Sequence, residues 1–396
     1  MELFLLNSTK FKAGVVGVAP GLRDFVSIAV KGTFQIHETG KTVLATEQAG
    51  LAGPDILMND RENSPARYES DSAPFKPRVD ALCVGKACAP RGIAVPECTV
   101  GFGVGSWFKV IRVVGNRSWV PALGGLSHRM TEPEPFKSML VSYENAFGGK
   151  DAGKPDGYRF YAPNPIGKGY SKHGGGLNNL PLPNLEDPSD PIKSWRSQPR
   201  PMSFGPVGRT WEPRIKKAGT YDKRWLKERS PKPPLDFDEA FYNCAPEDQQ
   251  IQGYLRGSEE VRVQNMHPLH SDFRFRLPGI RIRALLDKNV SARSVFEEIP
   301  MNLDTLWVDM EVLRLVLVWR GRFSTTASDE PSRVLLVEEP LDSTPRSPES
   351  YRPELLKHEA AEQEAERTIA EAEKELAQLQ AERAASTAEN PEPKGI

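Results

Sequence analysis

Apolar and polar residues alternate strictly in three late stretches: VRVQNM from Val261, FRFRLPG from Phe273 and RIRALL from Arg281. A period of two sends successive side chains to opposite faces, so each stretch predicts a strand with one buried face. Near the start, DFVSIAVKGTFQI over residues 24–36 is β-branched and aromatic and closes at the turn signal ETGK. RVDALCVGKACAP and CTVGFGVGSWFKVIRVVGNRSW follow at strand length, the second reading as two strands joined near Gly105 and Ser106. TLWVDMEVLRLVLVWRGRF predicts a hairpin turning near Met310 and Glu311. The pattern as a whole predicts a mainly β chain of antiparallel sheets, sandwich or barrel-like.

Residues 150–235 break that pattern, holding 14 of the 35 prolines. Composition alone allows disorder there, yet the region also carries Tyr158, Phe160, Tyr161, Tyr170, Trp195, Phe204, Trp211, Tyr221 and Trp225. Disordered segments are poor in aromatics, and large rings need a surface to cover. The expectation is an ordered loop region docked on the sheets, within one β-rich domain over residues 1–338. Two short helices punctuate it: TYDKRWLKERS capped by Thr220, and DFDEAFYNCA opened by the capping-box-like pair Asp236 and Glu239.

Residues 339–352 read as a Pro/Ser linker, 353–386 as an amphipathic helix and 387–396 as a disordered end. In the helix Ile369, Ala372, Leu376 and Leu379 are spaced three, four, three, with Glu364/Arg367 and Glu371/Lys374 on its surface. The seam covers fewer than two heptads, short of the three or four that define a coiled coil.

The net charge of −1 hides an uneven layout, because residues 351–396 hold 11 acids against 6 bases, leaving +4 on the rest. That excess is too small to point to nucleic acid. MELFLLNSTK lacks the basic start and the long apolar run of a secretory signal, and the longest apolar runs, such as Leu315 to Trp319, fall far below a bilayer span. Four cysteines in 396 residues make no disulfide framework. A soluble cytoplasmic protein is expected, with no membrane partner.

Chemical motifs are sparse. GxSxG, HExxH and a Walker lysine are absent from the sequence, and GFGVG at 101–105 runs into a strand-like stretch instead of a helix. His267 and His270 are spaced like a metal pair, but Pro268 favours extended backbone, where residues three apart face oppositely. Cys83, Cys88 and Cys98 do not match structural zinc spacing. The carboxylate pairs Glu186/Asp187, Asp236/Asp238 and Asp309/Glu311 fall on a loop, a helix start and a hairpin turn. No cofactor, metal or catalytic residue is assigned, and the chain is read as a non-enzyme. Arg274 with Arg276, and Arg281 with Arg283, form the most unusual pattern, each pair sharing one sheet face. Such a face meets phosphates or a partner's acids, or it pairs across the strand with Glu259 or Glu260.

One ordered series of blocks adds a resemblance: KPRVDALCVGKACAPRG, VGNRSW, SYENAFGG, NPIGKGY, LPNLEDP, FGPVGRTWEPR, AGTYDKRWLKER, NCAPEDQQ and FRFRLPG. Together, from the strand near residue 24 to WRG at 319–321, they resemble the bacterial domain of unknown function 2169. The resemblance implies a cytoplasmic adaptor that binds a type VI secretion effector and helps to load it on the spike protein VgrG, itself a further candidate partner. It implies no catalytic set. The partner-binding residues expected are Ile369, Leu376 and Leu379 on the helix, which lies outside the resemblance, and Arg274, Arg276, Arg281 and Arg283. Two alternatives stand beside this reading. One is a hydrolase or metal enzyme assembled from distant loop residues such as His128, His173, Asp187 and His267; the other is nucleic-acid binding through the arginine face, although no aromatic side chains interleave there for base stacking.

Overall fold

The computed structural model describes residues 3–17, 25–60, 64–290, 293–324 and 332–389. The early strands of its three main sheets are β1 (Leu3–Asn7), β2 (Lys12–Gly17), β3 (Phe25–Ile36), β4 (Thr42–Leu44), β5 (Val79–Val84), β6 (Glu97–Val104), β7 (Trp107–Val114) and β8 (Leu185–Glu186). The later ones are β9 (Gln250–Ile251), β10 (Glu260–Gln264), β11 (Asp272–Arg276), β12 (Ile280–Val290), β13 (Arg293–Ile299), β14 (Asn302–Asp309), β15 (Arg314–Ser324) and β16 (Ser332–Pro340). A seven-stranded sheet runs β9-β5-β14-β15-β3-β2 with β4 beside β3. A five-stranded sheet runs β8-β7-β6-β10-β11, and a four-stranded one β1-β16-β12-β13. The fold is mainly β, and among the described residues the sheets form no closed barrel.

One core joins all three sheets. Ile28, Val30, Leu315 and Leu317 from the first, Phe102, Val261 and Phe275 from the second, and Ile282, Ala284 and Leu336 from the third belong to one buried cluster. The alternation read from the sequence does this: β11 buries Phe273 and Phe275 and exposes Asp272, Arg274 and Arg276. Pairing is not wholly antiparallel, because β14 runs parallel to β5 and β1 parallel to β16. Both pairs join strands far apart in sequence, which allows the long crossover that a parallel pair needs.

The outer faces are covered too. Tyr68, Leu82, Trp307 and Val318 pack with Cys244 and Ala245 on the far side of the seven-stranded sheet. Trp119, Phe147, Tyr170, Leu177, Leu182 and Ile192 form a satellite cluster, with Phe147–Tyr161 and Tyr161–Tyr170 ring centroids 5.0 and 5.2 Å apart.

Helix α1 spans Lys223–Glu228, and its cap is Asp222, whose carboxylate accepts the Trp225 N–H at 2.8 Å. Thr220, the expected cap, instead donates its hydroxyl to Asp236 at 2.7 Å. Asp236 is thereby withdrawn from the second helix start, which forms only the short 3-10 turn Glu239–Tyr242 capped by Asp238. Helix α2 spans Arg352–Glu389, so it continues past the expected end at 386, and residues 390–396 lie outside the described residues.

Candidate docking surface

The feature that organises the C-terminal part is a buried carboxylate. Glu339, on β16 and 4% exposed, accepts Arg281 Nε at 2.8 Å, Arg283 Nη1 at 3.2 Å and the Arg346 N–H at 3.1 Å. It also accepts the Tyr351 hydroxyl. Burial alone raises a carboxyl pKa, but these donors outweigh it and hold Glu339 down at about 2. Tyr351, fully buried within the segment expected as a linker, packs with Leu355 against Leu285, Phe296, Leu335 and Val337 of the four-stranded sheet. Arg283 and Arg346 each stand near the Tyr351 ring, with the Arg346 guanidinium 3.8 Å from its centroid. The first turn of α2 is therefore fastened by apolar burial and by charge together.

Beyond that root the helix stands clear of the sheets. Every residue from Thr368 to Gln380 is exposed, and Ile369, Leu376 and Leu379 stay 59%, 57% and 60% exposed. The three apolar partner-binding residues read from the sequence thus share one uncovered stripe.

The four arginines do not form one basic face. The turn through Pro278 and Gly279, whose φ is +70°, separates β11 from β12 and sends them to different sheets. Arg274 pairs with Glu260 and Asp272 at 3.0 Å each, and Arg276 lies opposite Glu260 in the register of β10 and β11. Arg281 and Arg283 turn inward to Glu339, and Arg283 also holds Glu298 at 2.7 Å. Expected cross-strand pairing with Glu260 occurs, whereas Glu259 accepts the N–H groups of Arg256, Gly257 and Ser258. The outer edge of β11 is covered: Thr42 donates to Arg276 O at 2.8 Å, and a Cβ on Gly40 would lie 2.3 Å from Arg274 O.

The residues of the enzyme alternative remain apart in their contacts. His128 bonds Asn178 at 2.9 Å, His173 is exposed, and Asp187 holds Ser189 and Arg200. His267 and His270 do come together, with rings 4.8 Å apart, correcting the expectation that they face oppositely. A turn replaces extended backbone there, because His267 Nδ1 accepts the N–H groups of Leu269 and His270 at 3.2 Å, and His267 stacks on Phe273. Among the described residues no three His, Cys, Asp or Glu side chains are placed to hold a metal ion. Of the carboxylate pairs, Glu186 is fully buried between Arg112 and Arg117, tying β8 to β7. Asp309 pairs with Arg67, and Glu311 with Arg67 and Lys86.

Sequence reasoning missed a line of buried charge under the loops. Lys76 donates to Asp80 at 2.7 Å and to Thr305 at 3.1 Å; Thr305 donates to Asp304 at 2.8 Å, and Asp304 accepts Arg320 at 2.6 Å. Its signal was the acids inside the apolar runs VDALCV and NLDTLWVD. Lys109, also missed, reaches Ser203 O at 3.2 Å, Asp248 at 3.0 Å and Gln249 at 3.1 Å, and burial lowers its pKa to about 8 against the pull of Asp248. These bonds fasten the aromatic loops to β7. The loops border a groove of about 720 Å³, lined by Glu144, Lys150, Phe160, Ile166, Thr210 and Trp211 among others.

No helix among the described residues is long and apolar enough to cross a membrane. Residues 22–320 match the model of a family described as an uncharacterized protein conserved in bacteria, DUF2169. Neither a curated protein nor a solved structure matches the chain.

Proposed function

The chain belongs to the bacterial DUF2169 family, and from that premise we propose that it is an adaptor: a cytoplasmic protein that binds a type VI secretion effector reversibly and helps to load it on VgrG. The type VI partners come from the resemblance carried by the sequence blocks. The observation that carries a binding role is α2, rooted by Tyr351 and Glu339 and then exposing Ile369, Leu376 and Leu379 along one stripe. An amphipathic helix of this kind lays its apolar side chains in a partner's groove. The body supplies a stiff base for it, since its loops are fixed by buried ion pairs such as Glu186 with Arg117.

Affinity capture of the full chain from bacterial cells that express type VI secretion genes tests this reading. The expected result is recovery of an effector, VgrG or both with the intact chain, and loss of recovery when the helix is removed from Ala360 onward. Recovery of neither protein by the intact chain overturns the proposal.

A further inference from the structure

The charges that flank the stripe on α2 narrow the kind of partner. With Ile369 and Leu376 at the first position of a heptad and Ala372 and Leu379 at the fourth, the flanking positions between residues 368 and 380 are Thr368, Glu373, Glu375 and Gln380. Acids therefore border the seam and no base does. The bases Arg367 and Lys374 sit at the sixth heptad position, on the opposite side of the helix, and all these residues are exposed.

Flanking charges set the choice and orientation of helix partners. Self-pairing gains nothing from them. An antiparallel pair that seats Ile369 on Leu379 and Ala372 on Leu376 brings Glu373 against Glu373 and Glu375 against Glu375 of the second copy. A parallel pair in register sets Glu373 beside Thr368 and Glu375 beside Gln380, which yields no ion pair. The acidic excess of residues 351–396, 11 acids against 6 bases, adds longer-range repulsion between copies.

We infer that the free stripe of α2 fits a heterotypic partner whose apolar groove or helix is rimmed by lysine or arginine, and that it does not serve to pair two copies of this chain. The inference rests on the reading of α2 as a docking arm, not on the identity of the protein it docks. It lies outside the family match, which ends at residue 320. Recognition divides into two parts: apolar anchors supply attachment, and Glu373 with Glu375 supplies partner choice and orientation.

Two synthetic helical peptides with the same Ile/Leu seam test it against the full chain by fluorescence titration, one with lysines at the flanking positions and one with glutamates. The lysine peptide is expected to bind at low salt, to weaken about tenfold or more as salt screens the flanking charges, and to bind at least about tenfold more tightly than the glutamate peptide. The exposed double variant Glu373→Lys/Glu375→Lys is expected to exchange that preference with helicity unchanged by circular dichroism, and Leu376→Asp to lose both peptides. Binding to neither peptide, equal binding to both, or dimerisation of the unaltered chain that Leu376→Asp abolishes would each overturn the inference. Binding of the lysine peptide by a chain that captures no secretion protein keeps the inference and removes the adaptor reading, so the two failures are separable.

Discussion

Replacing Glu339 by glutamine removes the charge at the root of α2 while nearly preserving shape. In the native chain this carboxylate meets Arg281, Arg283, the Arg346 N–H and the Tyr351 hydroxyl, and its pKa falls from an ordinary 4.5 to about 2. A drop of that size corresponds to about 3 kcal/mol favouring the charged folded state, at about 1.4 kcal/mol per unit. Loss of one partner from a buried ion pair costs a similar amount, about 3–5 kcal/mol. Arg283 keeps Glu298, and Arg281 keeps the Pro340 carbonyl, so the lower figure is the better expectation. The sign of the pH effect follows from the depressed pKa. The contribution is complete above the unfolded value near 4.5 and is lost as pH falls through about 2. Urea unfolding of Glu339→Gln at neutral pH should therefore show a loss of about 3 kcal/mol. Between pH 4.5 and 2 the gap between native chain and variant should close. Hydrogen exchange at residues 350–356 should speed up in the variant at neutral pH. An unchanged unfolding midpoint, or a gap that persists undiminished at the acid end, would refute the reasoning.

Leu379→Asp should leave stability within about 0.5 kcal/mol of the native chain, since exposed positions tolerate substitution, while abolishing partner capture; calorimetry and affinity capture read the two halves. Lys109 binds its proton less tightly folded than unfolded, so its contribution to stability rises as pH increases from about 8 towards its ordinary 10.5. That rise should vanish from pH-dependent unfolding curves of Lys109→Met. Glu186→Ala strands the buried Arg117, while Arg112 keeps Glu97. It should cost about 3–5 kcal/mol and open residues 150–235 to brief proteolysis. Gly115→Ala places a Cβ 1.9 Å from Glu134 O, a backbone atom that has no side-chain freedom to retreat. A loss of about 2 kcal/mol or more is expected in thermal unfolding.

The β class was legible because the core strands obey the period-two rule so cleanly: in β11, Phe273 and Phe275 face in while Asp272, Arg274 and Arg276 face out. The same rule misled about the arginines. It assigns faces within a strand, but it does not say that Gly279 sends the next strand into a different sheet, where Arg283 is buried among carboxylates. The helix stripe could be read from spacing alone, since Ile369, Leu376 and Leu379 depend only on helical geometry. Its root could not, because Glu339 and Tyr351 acquire meaning only through contact with Arg281 and Arg283, more than fifty residues earlier in the chain. The move of the cap from Thr220, where it was expected, to Asp222 has the same origin: the Thr220 hydroxyl is taken by Asp236, further along the chain.

The parallel pairing of β1 with β16 bears on how the protein is made. Leu3 to Asn7 are translated before their hydrogen-bonding neighbours, Ser332 to Leu336, which follow more than three hundred residues later. The strand Ile280–Val290 likewise receives one of its two neighbours only from β16. A nascent chain halted before residue 332 would thus carry unzipped strand borders at both ends of its half-built sheet, inviting mispairing with neighbouring polypeptides. Synthesis of β16, and not of the first strands, is the step at which this architecture becomes self-sealing.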